Sequence, residues 1–541
     1  MSLELNEQQK KAVYCDDKRI CVVAGAGSGK TATLIQRIGR LIQEDKCRGD
    51  NILALTFTNA AAFEMKERFQ KAFGTLNKGI PFFGTFHAFC YSLIAHDIRV
   101  RDAVGYTKVP MIVTENKMKM IEKEVATRLG IHLTEEKLTT GKNLSPKEEY
   151  DYAIFKKALR HTMREKNVIT FNMLCYDVCA LFENDYPIVQ QYKRKYTYIL
   201  TDEFQDTDPK QWDFIKSFKD SDIMVVGDAL QTLYSFRGAS PEIIMGLAED
   251  AQWTTIKLYD NYRSTEQIVN YANKMSKYAK ESYRIVMTAH KTGDPVIEDR
   301  FSAPGWGKTC DDDMLDQLLI DAKKADGECA ILCRTNKEVK AITEFLQENE
   351  IEVSTTKPNE EAIQVIKSSR DNEHLIEWLS SFLDAETYGN WIRTVTMNDA
   401  KDKIDLQMSL FKSFADRNII ISSKLKTIYG VRSILKSKSN DIHNKQIKLR
   451  RLLKIKKVPL NDSLEDERAV VEYLLTELEK TAEADIYVGT IHSAKGLEYD
   501  SVILVGVNGW AFKIDNDDNR NCLYVGITRA KNHLKVYFTM R

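Results

Sequence analysis

An apolar run, Arg19-Ile-Cys-Val-Val-Ala24, turns through Ala24-Gly-Ala-Gly-Ser-Gly-Lys-Thr31 into a helix-like stretch that ends near Leu41. A strand that ends in glycines and leads straight into a helix aims several backbone N–H groups at one point, which makes a phosphate cradle and implies a parallel α/β sheet. A glycine-rich helix start can have this look without binding anything. The Lys-Thr pair in register points further: Lys30 would reach the β/γ-phosphates, Thr31 would ligate Mg²⁺, and Ala24 stands where the general pattern has its first glycine.

A second apolar strand, Tyr198-Ile-Leu-Thr201, delivers Asp202 and Glu203 at its carboxyl end, the edge at which open α/β sheets bind ligands. An isolated Asp-Glu pair often does no more than cap the next helix. Beside a phosphate cradle the pair has a hydrolytic reading: Asp202 holds the Mg²⁺ and Glu203 polarises the attacking water.

At 541 residues the chain exceeds a single core, since domains run about 100–200 residues. Strand and helix alternate through Asn51-Ile-Leu-Ala-Leu-Thr56, then give way to charged helical periodicity over Glu115–Arg128, Lys147–Arg164 and Phe171–Phe182. Strands return at Ile223–Gly227, Cys329–Cys333, Ile486–Gly489 and Val502–Val505. The expected organisation is α/β: a first unit over 1–95 and 196–282, with a helical insertion at 96–195, then a second unit over 283–384 and 468–541. A compact, basic, helical insertion occupies 385–467. Within it, residues 432–457 carry ten Lys or Arg and one acid, Asp441. The run reads equally as a solvated helix face or as a surface for duplex DNA or a partner.

Nothing in the chain approaches the roughly 18 consecutive apolar residues of a membrane span, and the polar start, MSLELNEQQKKAV, has no export pattern. A cytoplasmic protein is expected. Ten cysteines scattered from Cys15 to Cys522 form no disulfide framework. Cys175/Cys179 and Cys329/Cys333 are spaced as pairs, but no neighbouring His or Cys completes a four-ligand set, so they read as buried thiols. Lys plus Arg (78) balances Asp plus Glu (78), so a polyanion would be held by local patches.

Taken in order, Leu5-Asn-Glu-Gln-Gln9, the glycine-rich loop, Thr56-Phe-Thr-Asn59, Asp202-Glu-Phe-Gln-Asp206, Gly227 to Ala239, Asn261-Tyr-Arg-Ser264, Gly489 to Glu498 and Tyr524 to Ala530 resemble the motif set of superfamily 1A helicases of the UvrD/Rep/PcrA type. The resemblance covers both α/β units closely and the two insertions loosely. It implies two RecA-like parallel-sheet P-loop NTPase domains, each interrupted by a mainly helical insertion. It implies an ATP- and Mg²⁺-dependent motor moving 3′ to 5′ on single-stranded DNA and unwinding tailed or forked duplexes, in repair, recombination or phage defence.

By the same resemblance Ala24, Gly25, Ala26, Gly27, Ser28, Gly29, Lys30, Thr31 and Arg37 contact ATP, Gln9 reads the adenine edge and Tyr262 stacks on the base. Gln231 senses the γ-phosphate, Arg263 and Arg529 (expected on a terminal helix) meet it as arginine fingers, and Glu498 contacts the nucleotide from the second unit. Phe57, Tyr234 and Phe236 would stack on bases, and Thr58, Thr85, His87, Arg237 and His492 belong to the DNA-contacting motifs. Three departures from the family pattern stand out: Ala60 for a basic residue, Thr232-Leu233 for Ser-Ile, and Asn521 for one arginine of a pair.

Rival readings are a scaffold with a decayed motor, the opposite-polarity branch, and a motor that works only beside a separate nuclease or repair protein, as in a Gabija-like system. Decay would have touched Lys30, Glu203, Arg263 or Arg529, and all four are present. The opposite-polarity branch carries Asp-Glu-x-Ser-Met where this chain has Asp-Glu-Phe-Gln-Asp. With eleven residues after Ala530, no fused nuclease is expected. That expectation suits a free-standing enzyme and a partnered one alike.

Overall fold

The computed structural model describes residues 4–74, 78–113, 115–235, 238–278, 280–281, 284–304, 309–325, 327–355, 366, 430–435, 442–453, 469–475, 486–507 and 517–540. The chain divides into two compact units, one of Met1–Val23, Lys30–Gly227 and Tyr234–Ile256, the other of Ala24–Gly29, Asp228–Leu233 and Lys257–Arg541. The helical stretch expected at 96–195 therefore lies within the first unit, while the glycine-rich loop groups with the second.

In the first unit, β1 (Arg19–Ala24), β2 (Ile52–Thr56) and β3 (Phe82–Thr85) are joined by α1 (Glu7–Tyr14) before β1, α2 (Lys30–Gln43) and α3 (Asn59–Phe73). After the helical stretch come β6 (Tyr198–Thr201), β7 (Asp222–Gly227) and β8 (Thr254–Leu258), giving a six-stranded sheet ordered β3-β2-β6-β7-β1-β8. The pairings β2 with β3, β2 with β6, β6 with β7 and β1 with β7 are parallel, with Arg19 to Val23 opposite Ile223 to Gly227. Strands covered by helices on both faces need apolar side chains at every position. Accordingly all five residues of β2 are buried, as are the last five of β1.

The helical stretch runs through α4 (Phe86–His96), α5 (Ile98–Ala103), the short strand β4 (Met111–Ile112), α6 (Glu115–Leu129), α7 (Glu135–Thr140) and α8 (Pro146–Glu165). It ends with β5 (Val168–Ile169), α9 (Phe171–Glu183) and α10 (Gln190–Lys195). It has a core of its own in which Ile121, Val125, Phe155, Leu159 and Met163 pack together. Ser145 and Glu148 form a reciprocal capping box with Pro146 in the first turn, which fixes the start of α8. Between β6 and β8 lie α11 (Pro209–Lys216) and α12 (Pro241–Glu249).

The second unit contains β9 (Asp260–Asn261), α13 (Glu266–Ser276) and β10 (Thr288–Ala289), and a five-stranded sheet. Its strands are β11 (Ile297–Ser302), β12 (Cys329–Cys333), β13 (Ile486–Thr490), β14 (Tyr499–Val507) and β15 (Ala530–Met540), ordered β11-β15-β14-β12-β13 and parallel throughout. α14 (Asp312–Lys324) and α15 (Asn336–Glu348) supply Leu318, Ile342 and Leu346 to the core against Ile331, Val488 and Ile503. Of the basic stretch, Ile442–Leu452 forms α16, which buries Leu449 and exposes Lys448 and Arg451; the rest of 385–467 lies largely outside the described residues. Finally α17 (Asp517–Ile527) precedes β15. Arg529, expected on a terminal helix, sits instead in the turn after α17, where Thr528 N donates to Tyr524 O and Arg529 N to Gly526 O as the chain reverses into the strand. No helix among the described residues is long and apolar enough to cross a membrane.

Candidate nucleotide and DNA-binding site

In the first unit, Lys30 opens α2 and Thr31 follows it. The Thr31 hydroxyl donates to Asp202 Oδ2 at 2.6 Å, so the two expected Mg²⁺ ligands, 171 residues apart, stand together. Asp202 is buried beyond β6, its N–H bound to Leu55 O and its Oδ1 accepting from Glu203 N at 3.0 Å. Burial and the adjacent Glu203 carboxylate push the Asp202 carboxyl up to about 6, against the pull of Thr31 and Lys30. A cation would relieve that penalty, and a hydroxyl with one carboxylate is the sparse protein donor set that Mg²⁺ takes when phosphates and water supply the rest. Glu203 has φ 52°, a left-handed backbone rare outside glycine, and Gln205 Nε2 donates to its Oε2.

In the second unit the glycine-rich loop is held by Asn261. Its Nδ2 donates to Ala26 O at 2.8 Å while its Oδ1 accepts from Arg263 N and Ser264 N, and Tyr262 N donates to Gly27 O. The Ser28 hydroxyl closes the loop on Gly25 O. Two glycines are needed for approach rather than for flexibility: a Cβ on Gly25 would meet Met287 Cγ at 2.8 Å, and one on Gly27 would meet Arg263 Cβ at 2.8 Å. Gly27 and Gly29 also have positive φ, 68° and 76°.

Gln231, Arg263, Glu498 and Arg529 come together in this unit. Arg529 is fully buried. Its Nε donates to Val525 O, its Nη1 to Leu497 O and its Nη2 to Gln231 Oε1 at 3.3 Å. Gln231 is oriented by its own bond to Asp228 Oδ2 at 2.6 Å, and its carbonyl accepts from Lys495 Nζ. Arg263 Nε lies 2.6 Å from Glu498 Oε2 and its Nη1 donates to Thr528 O. Burial alone would raise the Glu498 carboxyl; Arg263, with Lys531 and Arg529 behind it, lowers it instead. An anion arriving here would meet two guanidiniums held in place by carbonyl groups, which is the preorganisation that phosphoryl transfer requires.

Phe57 and Tyr234 stack with ring centroids 4.8 Å apart and 24° between planes.

A sequence model of the UvrD/REP helicase N-terminal domain matches residues 5–252, and two of the UvrD-like helicase C-terminal domain match 256–360 and 485–537. A relative named ATP-dependent DNA helicase PcrA from Staphylococcus epidermidis is 27% identical over 614 aligned positions, covering 98% of this chain and 83% of the relative. DNA helicase II of Haemophilus influenzae is 25% identical over 99% of this chain and 84% of its own length. A probable DNA helicase II homolog of Mycoplasma capricolum is 33% identical over 54% of this chain, which spans 44% of that relative. The chain belongs to the UvrD/Rep helicase family.

Against the UvrD/Rep motif pattern, several residues have a local duty as well as their expected one. Gln9 completes a capping box at the start of α1, its Oε1 accepting from Asn6 N at 3.0 Å and its N–H bound to Asn6 Oδ1. Arg37 is buried, with Nη1 donating to Ala12 O, Val13 O and Cys15 O at the other end of α1. Thr58 and Thr85 cap α3 and α4, accepting from Ala61 N and Ala88 N. Tyr262 is half exposed and stacks on His290 at 4.8 Å and 6°, and His290 Nε2 lies 3.0 Å from Asp260 Oδ1. Burial, with Arg334 and Lys495, lowers the pKa of His492. Phe236 and Arg237 lie outside the described residues.

Sequence reasoning missed Asn261, Lys495 and Phe171. Asn261 and Lys495 stand inside quoted motifs, but only the fold reveals what they bind. Phe171 is exposed, and its ring meets the edge of the His87 ring at 5.9 Å. One family departure is accommodated: Asn521 Nδ2 donates to Ala229 O at 3.4 Å and Thr232 O at 3.3 Å, bracing the turn that carries Gln231.

Proposed function

We propose that the chain is an ATP-driven translocase that moves 3′ to 5′ on single-stranded DNA and unwinds tailed duplexes. The observation that carries this reading is the Thr31–Asp202 contact with Glu203 immediately beyond it, a hydrolytic set in the arrangement a P-loop motor needs.

In this reading Lys30 and the loop amides bind the β/γ-phosphates, and Thr31 and Asp202 would hold Mg²⁺, which would supply positive charge against the phosphates. Glu203 orients the attacking water. Arg263 and Arg529 stabilise the γ-phosphoryl group in the transition state, Gln231 reports its presence, and Glu498 positions Arg263 and the nucleotide. Tyr262 stacks on adenine, with Gln9 at its edge and Arg37 close by. Phe57, Tyr234 and Phe236 stack on bases, while Thr58, Thr85, His87, Arg237 and His492 line the strand's path, with Phe171 beside His87. Base stacking is indifferent to sequence and contributes about 1–3 kcal/mol per base. Polarity rests on the motif that continues Asp202-Glu203 as Phe-Gln-Asp.

Purified protein with ATP and Mg²⁺ should unwind a duplex bearing a 3′ single-stranded tail and leave a 5′-tailed one intact. Glu203→Gln should lower DNA-stimulated ATP hydrolysis by about a hundredfold or more while DNA binding persists. Equal unwinding of both tails removes the polarity; parent-rate hydrolysis by the variant removes Glu203 from the mechanism.

A further inference from the structure

Three thiols meet where α4 packs on α9. Cys90 Sγ lies 3.9 Å from Cys175 Sγ, and Cys175 Sγ lies 3.9 Å from Cys179 Sγ, although Cys90 is 85 residues away in sequence. All three sulfurs fall within 4.8 Å of one another and all three residues are buried. The pair that looked incomplete in sequence thus gains a third member through the fold.

Spacing separates this cluster from ordinary core cysteines such as Cys21, Cys329 and Cys333. Three sulfur ligands around one zinc ion at about 2.3 Å each stand about 3.8–4.0 Å apart, and two of the three distances are 3.9 Å. Cys175 and Cys179 are one turn apart on a single helix face, and Cys90 closes the triangle from the facing helix.

We propose that Cys90, Cys175 and Cys179 form a zinc-binding site that clasps α4 to α9, the two ends of the helical stretch of the first unit. Zn²⁺ binds as three thiolate–metal bonds form and the thiol protons leave to solvent, with no change in oxidation state. The clasp joins α4, whose N-cap is Thr85 and which carries His87, to α9, which carries Phe171. Zinc therefore sets the spacing of residues on the proposed DNA path while touching neither nucleotide nor DNA.

The test uses the full chain, purified with a non-thiol reductant and a chelator and then titrated with Co²⁺ as a spectroscopic stand-in. One equivalent should bind per chain with a thiolate-to-cobalt charge-transfer band, and stoichiometric Zn²⁺ should displace it. Cys90→Ser and Cys175→Ser should each lose the band while keeping the parent far-ultraviolet circular dichroism. No band in the parent, or an undiminished band in both variants, overturns the site. If the variants fail to fold, alkylation of the parent in mild denaturant decides, each cysteine being followed by peptide mass. Zn²⁺ should slow modification of Cys90, Cys175 and Cys179 at least tenfold relative to Cys21 and Cys329; equal slowing of all five, or none, overturns the site.

Discussion

Glu203 combines a chemical requirement with a conformational penalty, for its backbone lies at φ 52° while its side chain must face the γ-phosphate in the proposed mechanism. A non-glycine residue in that region costs about 1 kcal/mol or more relative to glycine. Glu203→Gly should therefore unfold at a higher denaturant concentration than Glu203→Ala, by about 1 kcal/mol, although both lack hydrolysis. Equal midpoints would mean that the strain is relaxed elsewhere. At this scale the sequence was legible where chemistry is local: Lys30, Thr31, Asp202 and Glu203 could be named because each sits at a strand end beside a helix start. It was silent where one residue serves a distant one. Nothing around Asn261 says that its amide will hold Ala26, and nothing around Arg37 says that its guanidinium will gather three carbonyls at the end of α1.

Helix ends show the same division between local and distant. Ser145-Pro-Lys-Glu148 is a start signal readable from four consecutive residues, and α8 begins there. Asp97 caps α5 by accepting from Arg99 N, which is equally local. Yet its carboxylate also accepts from Gln191 Nε2 at 2.8 Å and Tyr192 OH at 2.9 Å, bonds that tie the start of the helical stretch to its end and that no spacing rule announces. Burial pushes the Asp97 carboxyl up, but Arg99 and the Tyr192 hydroxyl bring it down to about 2. Because the folded value is depressed, its contribution is complete above the ordinary aspartate value of 3.8 and is lost as pH falls through about 2. Asp97→Asn should cost about 1–2 kcal/mol at pH 7. The gap between variant and parent, read from denaturant unfolding at successive pH values, should shrink only in acid. A gap that is independent of pH would assign the effect to lost packing rather than to charge.

Across the whole molecule, strand alternation and apolar runs were enough to predict parallel α/β architecture, because buried parallel strands have almost no compositional freedom. Strand order and the grouping of loop 24–29 with the second unit were not legible, since both depend on pairings between distant segments. Coupling between hydrolysis and movement also belongs to this scale. Phe57→Ala with Tyr234→Ala removes the stacked pair. The double variant should keep basal ATP hydrolysis but lose its stimulation by single-stranded DNA, and translocation followed by stopped flow should collapse. An unchanged stepping rate would return both rings to the core. The sheet order has a different consequence, in time rather than space. β1 lies between β7 and β8, so Arg19–Val23 finds its partners at Ile223–Gly227 only after some two hundred further residues have been made. At about 5–20 residues per second that is roughly 10–40 s on the ribosome. β2 and β3 can pair meanwhile, and the helical stretch can condense around Phe155 and Leu159. The strand that leads into the phosphate loop must wait, its Ile20, Val22 and Val23 exposed to any chaperone or aggregating neighbour that reaches them first.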